Sequence, residues 1–208
     1  MESYRTVAER GEAEIEVNGS TFHAFVAPVD SVAAAEAFVD SVRETYPDAR
    51  HVVPAYRVPA GDPDERRPGE GTMLREWASD DGEPSGSSGK PALNVLERRD
   101  LRNLAVAVVR YKNGPNLGVG GLARSYSRAV SAAVDDAGVT EEVPHARVSV
   151  RTEYDDSGTV RSVLESEGVE FAADYDEAVR FSVRVPVDDA AALKDRLRSA
   201  TSGRVDLS

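Results

Sequence analysis

The sequence predicts an α+β protein of two domains, residues 1–142 and 143–208. Strand-like and helix-like segments are interspersed along the first domain, which is typical of a mixed fold. A polar, proline-containing stretch at residues 140–144 interrupts this pattern and is expected to join the domains. The remaining residues follow the order strand, helix, strand, strand, helix, strand. That order predicts an antiparallel sheet with both helices on one face, the ferredoxin-like arrangement.

The first domain opens with a predicted hairpin, because Asn18-Gly19 separates strand-like runs at residues 12–17 and 21–27. Apolar periodicity and turn residues then predict three helices and three strands. These are a helix that follows the cap Asp30-Ser31 and ends at Pro47, strands at 50–58 and 73–79, a helix at 92–99, a buried strand at 104–111 and a helix at 122–137. The stretch 59–72, rich in Pro, Gly and Asp, is predicted to be an exposed loop.

The second domain is predicted from alternating apolar residues and two helix caps. Ser157 is expected to cap the first helix, which Gly168 ends, and Asp188 is expected to cap the second. The expected elements are strands at 147–154, 169–175, 178–185 and 204–207 and helices at 158–167 and 189–200.

Composition narrows the class of protein. The net charge is −12, only three of the 25 cations are lysines, and cysteine is absent, which excludes disulfides and thiolate nucleophiles. No apolar run approaches the roughly 18 residues of a membrane helix, and the acidic N-terminus has no apolar signal segment, so we expect a cytoplasmic protein without membrane contact. Salt would screen the excess acid, which suggests a host with a high-salt cytoplasm; an ordinary acidic protein is the alternative.

The first of two glycine-rich loops, residues 79–91, combines acids, serines and glycines. It is not a phosphate-binding P-loop, because Pro84 and Pro91 occupy the positions of the first glycine and of the Mg²⁺-binding hydroxyl residue. Its carboxylates could hold a hard cation or could form a solvated acidic turn. The candidate binding residues of this loop are Asp80, Asp81, Glu83, Ser85 and Lys90.

The second loop, residues 112–121, is expected to lead directly into the helix that starts at residue 122. Glycine-rich backbone at a helix N-terminus suits an anion, because free N–H groups and the helix dipole favour negative charge there. The candidate binding residues of this segment are Arg110, Lys112, Gly118, Gly120, Gly121, Arg124 and Arg128. A dinucleotide-binding glycine motif is a weaker interpretation, since the acids that would hold the ribose, Glu141 and Glu142, fall in the expected linker.

Residues 98–128 form a basic island that has seven cations and one acid, a net charge of +6 within a chain of −12. A phosphate-binding surface would have this charge, and the alternative is that these cations pair with acids elsewhere in the fold. The cations are Arg98, Arg99, Arg102, Arg110, Lys112, Arg124 and Arg128.

The two loops together carry a long motif, residues 79–91 followed by residues 110–126, that resembles the signature of the IMPACT/YigZ family. The segment His51-x-x-x-Ala55-Tyr56-Arg57 is similar to an earlier histidine–tyrosine motif of that family, which adds His51, Tyr56 and Arg57 to the candidate binding residues. The sequence departs from the family pattern at Lys112-Asn113, where an aromatic residue and a glycine are usual.

The resemblance implies an N-terminal domain like domain two of ribosomal small-subunit protein five and a ferredoxin-like C-terminal domain similar to domain five of elongation factor G. It implies a role linked to translation. With the basic island, it favours a non-enzymatic regulatory or binding protein that contacts RNA or a ribosome-associated partner. We expect no cofactor and no metal, because the three histidines lack metal-ligand spacing. The alternatives are a protein-binding adaptor and an enzyme acting on a small phosphorylated substrate or nucleotide, with Asp80, Asp81 or Glu83 as metal ligand or base.

Overall fold

The computed structural model describes residues 3–61 and 73–208, which form two compact units. The N-terminal unit comprises residues 3–60 and 73–142, and the C-terminal unit comprises residues 143–208. Most of the loop predicted at 59–72 lies outside the described residues. In the part of the chain that is described, no helix is long and apolar enough to cross a membrane.

The elements of the N-terminal unit are β1 Tyr4–Val7, β2 Gly11–Val17, β3 Ser20–Pro28, α1 Val32–Thr45, β4 His51–Pro59, β5 Leu74–Ala78, α2 Gly89–Arg98, β6 Leu104–Lys112, α3 Gly118–Ala137 and β7 Val139–Glu142. The unit is built on a five-stranded antiparallel sheet in the order β2-β3-β6-β4-β5, and β1 pairs with β7 in a separate two-stranded ribbon.

Both faces of this sheet are covered. Helices α2 and α3 pack on one face, where Phe22, Val108 and Tyr126 are fully buried. Helix α1 packs on the other face through residues such as Val42. The central strand β6 is buried on both sides from Leu104 to Arg110, which explains its continuous apolar run and confirms the buried strand predicted there.

Two local predictions are confirmed by backbone geometry. Asn18 and Gly19 have φ angles of 49° and 78°, and two successive residues with positive φ make the tight hairpin turn that joins β2 to β3. The side chain of Ser31 accepts a hydrogen bond from the Ala34 N–H and so caps α1.

Three predictions in the N-terminal unit are wrong. Helix α2 begins at Gly89 rather than residue 92, because the side chain of Asp80 accepts the Gly89 N–H from outside the helix. Helix α3 begins at Gly118 rather than at residue 122, so the glycines assigned to a loop form its first turn. Residues 140–142, expected as a linker, belong to β7. They form a strand because they pair with β1, which lies at the start of the N-terminal unit in the sequence.

The elements of the C-terminal unit are β8 His145–Thr152, α4 Tyr154–Glu167, β9 Glu170–Tyr175, β10 Val179–Pro186, α5 Val187–Ala200 and β11 Asp206–Leu207. The strands form an antiparallel sheet in the order β11-β8-β10-β9 with both helices on one face. The predicted α+β class and ferredoxin-like order are confirmed.

Both helix caps predicted in this unit are wrong, although Gly168 ends α4 in the left-handed conformation as expected. Helix α4 starts at Tyr154, and the Ser157 hydroxyl donates to the Tyr154 carbonyl inside the first turn. Helix α5 follows directly on Pro186, whose fixed φ suits a helix entry, so Asp188 lies in the first turn. There the negative charge of Asp188 interacts favourably with the helix dipole.

Candidate functional site

The first loop is organised around the carboxylate of Asp80. It accepts hydrogen bonds from the N–H groups of Gly86, Ser88 and Gly89 at 2.7, 3.0 and 2.9 Å and from the Ser88 hydroxyl at 2.8 Å. Burial alone would raise the pKa of Asp80, but these hydrogen bonds outweigh it and hold the pKa below its ordinary value. Asp80 therefore shapes the loop and caps α2.

Asp81 fastens the same loop to the start of β4. Its side chain accepts the Val52 N–H at 2.7 Å, and its carbonyl oxygen lies 2.7 Å from Nδ1 of His51. Since a carbonyl can only accept, Nδ1 of His51 carries the hydrogen in this contact. Arg43 of α1 lies 3.8 Å from the Asp81 carboxylate. His51 and Asp81 thus form one anchor between the loop, β4 and α1.

The third acid of the loop, Glu83, is buried with Arg110 and Tyr126. Its Oε1 atom accepts from Nη1 of Arg110 at 2.6 Å and from the Tyr126 hydroxyl at 2.8 Å. The side chains of Arg110 and Glu83 are only 5% and 4% exposed. Burial, followed by the charge of Glu83, raises the pKa of Tyr126 well above its ordinary value, so the phenol stays protonated and donates. We call these three residues the buried triad.

The remaining residues of the histidine–tyrosine motif serve the fold. Tyr56 is 3% exposed and stacks on Trp77 with ring centroids 5.3 Å apart. Arg57 donates to the Leu101 carbonyl at 2.7 Å and to Glu76 at 2.8 Å. The structure does not bring Tyr56 or Arg57 to an open binding surface.

Two other candidates of the first loop are exposed. Ser85 lies at the tip of the loop, and Lys90 forms an exposed ion pair with Glu97 at 2.9 Å. By contrast, the hydroxyl of Ser87 is fully buried and has no hydrogen-bond partner among the described residues. The open part of this loop therefore offers little uncompensated charge.

The first turn of α3 presents bare backbone. Leu117 occupies the cap position without a side-chain cap, and Gly118 has a φ of +69°, which a residue other than glycine rarely adopts. Gly118 and Gly120 are exposed, whereas Gly121 is half-buried against Leu117. Because side chains are lacking on these glycines, the uncapped N–H groups of the turn are accessible to an anion.

Arg124 and Arg128 follow this turn on the exposed side of α3. Neither forms an ion pair with any residue in the described ranges 3–61 and 73–208. The guanidinium of Arg124 lies against Gly120, with its Nη1 3.4 Å from where a β-carbon would stand. Lys112 is also exposed and donates to the side chain of Asn116 at 2.6 Å. Arg124 thus adds a cation directly beside the exposed glycine turn.

The structure separates the basic island into compensated and uncompensated cations. Arg110 pairs with Glu83 in the buried triad, Arg99 pairs with Asp135 at 2.7 Å, and Arg102 lies 4.6 Å from the centre of the Tyr4 ring. The exposed cations without an ion-pair partner among the described residues are Arg98, Lys112, Arg124 and Arg128. The exposed positive charge of the basic island is therefore smaller than the net charge of +6 that its sequence indicates.

Sequence reasoning missed the role of Tyr126 and the depth of Glu83. These residues are 43 positions apart, and no local pattern links them.

Among the described residues, no group of three or more histidines and acids is close enough to hold a metal ion. The carboxylates of Asp80, Asp81 and Glu83 are each engaged in the hydrogen bonds given above.

Comparison with known protein families gives a match that includes the two glycine-rich loops. A model of the Impact N-terminal domain matches residues 18–134, which include both glycine-rich loops and the buried triad. The chain belongs to the IMPACT family. A model of a domain of unknown function, DUF1949, matches residues 150–204 of this IMPACT family chain. The family resemblance found in the sequence is thereby confirmed.

Two curated relatives match this IMPACT family chain over its full length. It is 31% identical to the IMPACT family member YvyE of Bacillus subtilis, covering 91% of that protein. It is 32% identical to the IMPACT family member YigZ of Escherichia coli, covering 98% of it. These matches include both units of the structure.

Two solved structures are also similar. One, described as the crystal structure of a hypothetical protein, is 32% identical with a TM-score of 0.65, and the match covers 100% of this chain and 97% of the other. The two-domain translational regulator Yih1 is 26% identical over 63% of this chain and 48% of its own, with a TM-score of 0.36. That score is too low to support a structural argument about this chain.

Proposed function

We propose that this IMPACT family protein is a non-enzymatic regulatory or binding protein linked to translation, and that it contacts RNA phosphates through α3. The contact surface, which we call the α3 basic face, consists of the exposed backbone at Gly118 and Gly120 and the side chains of Arg124 and Arg128. The family membership and the exposed cations support this proposal.

One observation carries the proposal: Arg124 and Arg128 are exposed and lack ion-pair partners among the described residues, although acids outnumber cations in the chain by 37 to 25. In such a chain, a randomly placed surface cation has many acids available. Two arginines kept free one turn apart, next to an uncapped helix N-terminus, therefore favour an anionic ligand.

The buried triad supports the α3 basic face from beneath. Tyr126 lies between Arg124 and Arg128 in the sequence but points into the core, where it bonds to Glu83. This contact and the Arg110 pair fix α3 against the first loop and β6. A surface held rigid in this way loses less conformational entropy when a ligand binds.

The chemistry of the surface predicts phosphate contact with little reading of bases. Arginine forks and free backbone N–H groups recognise phosphate oxygens of any sequence. For single strands, binding of this kind weakens with salt, with a log–log slope of about −0.7 for each phosphate contact. The acidic remainder of the chain opposes loose association with polyanions.

The enzyme alternative is less well supported by the geometry. It assigned metal binding or general-base chemistry to Asp80, Asp81 or Glu83. In the structure, Asp80 and Asp81 bond to the backbone of their own loop and of β4, and Glu83 neutralises Arg110 in a buried setting. Each acid thus has a structural role.

The test is RNA binding by the full chain, with Arg124→Glu/Arg128→Glu compared against Arg196→Glu/Arg198→Glu. Arg196 and Arg198 lie exposed on α5, so the control makes the same change in net charge elsewhere. We expect the α3 variant to lose affinity for single-stranded RNA and to lower the magnitude of the salt slope by about 1.4, while the control stays near wild type. Equal loss in both variants, or no RNA binding by the wild type at low salt, would refute the proposal.

A further inference from the structure

The open face of the C-terminal sheet carries a repeated pattern on its two central strands. Strand β8 contains Arg147-Val-Ser149-Val-Arg151, and strand β10 contains Arg180-Phe-Ser182-Val-Arg184. Side chains alternate along a strand, so the valines and the phenylalanine point to the helices and are buried, while the arginines and serines share the opposite face.

The strand register places each of these arginines and serines opposite a residue of the same type on the neighbouring strand. Arg151 pairs with Arg180, Arg147 pairs with Arg184, and the two serines pair between them. The arginine pairs lie about 13 Å apart along the strands, and the strands are about 4.8 Å apart. Like charges directly opposite each other destabilise a sheet. The arrangement therefore opposes stability of the isolated sheet, and an anion bound between the strands would relieve the repulsion.

Arg151 and Arg180 carry the inference. Both are exposed, and neither forms an ion pair or a side-chain hydrogen bond within residues 3–61 and 73–208. Arg184 lies 3.8 Å from Glu170, and Arg147 and Arg184 have further interactions within the chain. The four side chains form what we call the arginine stripe, of which Arg151 and Arg180 are the available half.

Acids border the arginine stripe on both edge strands. Asp174 of β9 lies across from Arg180, and Asp206 of β11 lies across from Arg151. No ion pair joins either acid to its neighbouring arginine in the described structure. The positive surface is thus only two strands wide. A broad polyanion such as a nucleic-acid duplex would place phosphates over the acidic borders, whereas a single extended strand would not.

We infer that the arginine stripe is a second RNA-binding surface, which takes a single-stranded segment through its phosphates. The inference rests on the proposed function in one respect, that RNA is the ligand. Between the acidic borders, the exposed face consists of arginines and serines with His145 and Pro186 at one end, and it has no Phe, Tyr, Trp or large aliphatic side chain. Protein–protein interfaces are enriched in aromatic anchors, whereas protein–nucleic acid interfaces are more polar and more positively charged, so the face fits RNA better than an acidic protein.

The test uses the full-length chain and measures binding of a labelled single-stranded RNA oligonucleotide as a function of salt. The variants are Arg151→Glu/Arg180→Glu on the stripe, Arg124→Glu/Arg128→Glu on α3, the combination of the two, and Arg196→Glu/Arg198→Glu as the charge control. We expect the stripe variant to lose affinity on the order of tenfold and to lower the magnitude of the salt slope by about 1.4, with additive loss in the combination. The charge control should bind like the wild type.

The outcomes separate the two proposals. If only the α3 variant loses RNA affinity, the proposal for the arginine stripe is refuted and the proposal for the α3 basic face stands. If only the stripe variant loses RNA affinity, the proposal for the α3 basic face is refuted and the proposal for the arginine stripe stands. No binding by the wild type overturns both. Equal affinity for an RNA duplex of the same length, or equally strong competition by poly-glutamate, overturns the assignment to single-stranded RNA. Should the stripe variant unfold, Arg151→Gln/Arg180→Gln tests the same surface without reversing charge.

Discussion

The Tyr126 hydroxyl donates a 2.8 Å hydrogen bond to Oε1 of Glu83, the same oxygen that Arg110 contacts at 2.6 Å. One carboxylate oxygen thereby joins α3, the first loop and the central strand β6. Phe22 packs against two members of the buried triad. Its ring lies edge to face with the Tyr126 ring at a centroid distance of 5.1 Å, and its centroid is 5.4 Å from Cζ of Arg110. The buried triad is a polar contact enclosed by the apolar core beneath the proposed α3 basic face.

Removing the acid from the buried triad should destabilise the protein strongly. Glu83→Ala leaves the charge of Arg110 buried without a partner, and we expect the free energy of unfolding to fall by about 3–5 kcal/mol. Urea denaturation monitored by circular dichroism measures this change. The matched variant Tyr126→Phe removes one hydrogen bond but keeps the ion pair, and should cost about 2 kcal/mol. Equal effects of the two variants would contradict the central position of Glu83.

The ionised form of Asp80 should contribute stability that depends on pH. Its pKa is lowered in the folded protein, so the contribution is fully present above the unfolded value of about 3.9 and is lost as the pH falls through the folded value. Asp80→Asn should therefore be less stable than the wild type at pH 7, and the difference should shrink toward pH 2. Urea titrations across this range test the prediction, and a difference that is independent of pH would refute it.

Glycine is required at position 89 for a steric reason. A β-carbon there would lie 2.5 Å from the Ser79 carbonyl oxygen, a backbone atom that cannot easily move. We expect Gly89→Ala to lower the melting temperature and to disturb the first loop. Gly158 is a good control, because it lies exposed within α4 and a β-carbon added there would meet no atom within 4 Å. Gly158→Ala should therefore stabilise the protein by up to about 1 kcal/mol. If both substitutions changed the stability of the protein in the same direction, the steric requirement for glycine at position 89 would be contradicted.

Salt should stabilise the folded chain. The net charge of −12 destabilises the compact state through self-repulsion, and screening weakens that repulsion as the Debye length falls to about 3 Å at 1 M salt. We expect the melting temperature to rise as KCl increases from low to molar concentration, as in a protein adapted to a high-salt cytoplasm. A melting temperature that is flat or falls toward molar KCl would count against this adaptation.

Much of the fold follows from local pattern. The Asn18-Gly19 hairpin, the Ser31 cap and the buried strand β6 each depend on residues that are neighbours in the sequence, and the structure confirms all three. The predicted starts of α2 and α3 were wrong, and at α2 a group outside the helix accounts for the difference. At α2, the carboxylate of Asp80 supplies a cap from nine residues upstream, a contact that helix propensity does not describe.

The sequence by itself determined the family, the α+β class and the ferredoxin-like order of the C-terminal unit, because motifs and hydrophobic periodicity are local properties of the chain. The tertiary structure alone decided which charged residues are available. It buried Arg110 against Glu83, left Arg124 and Arg128 exposed, and set Arg151 opposite Arg180. The physical reason is that the environment of a charge depends on packing and strand register, which bring together residues that are far apart in the sequence.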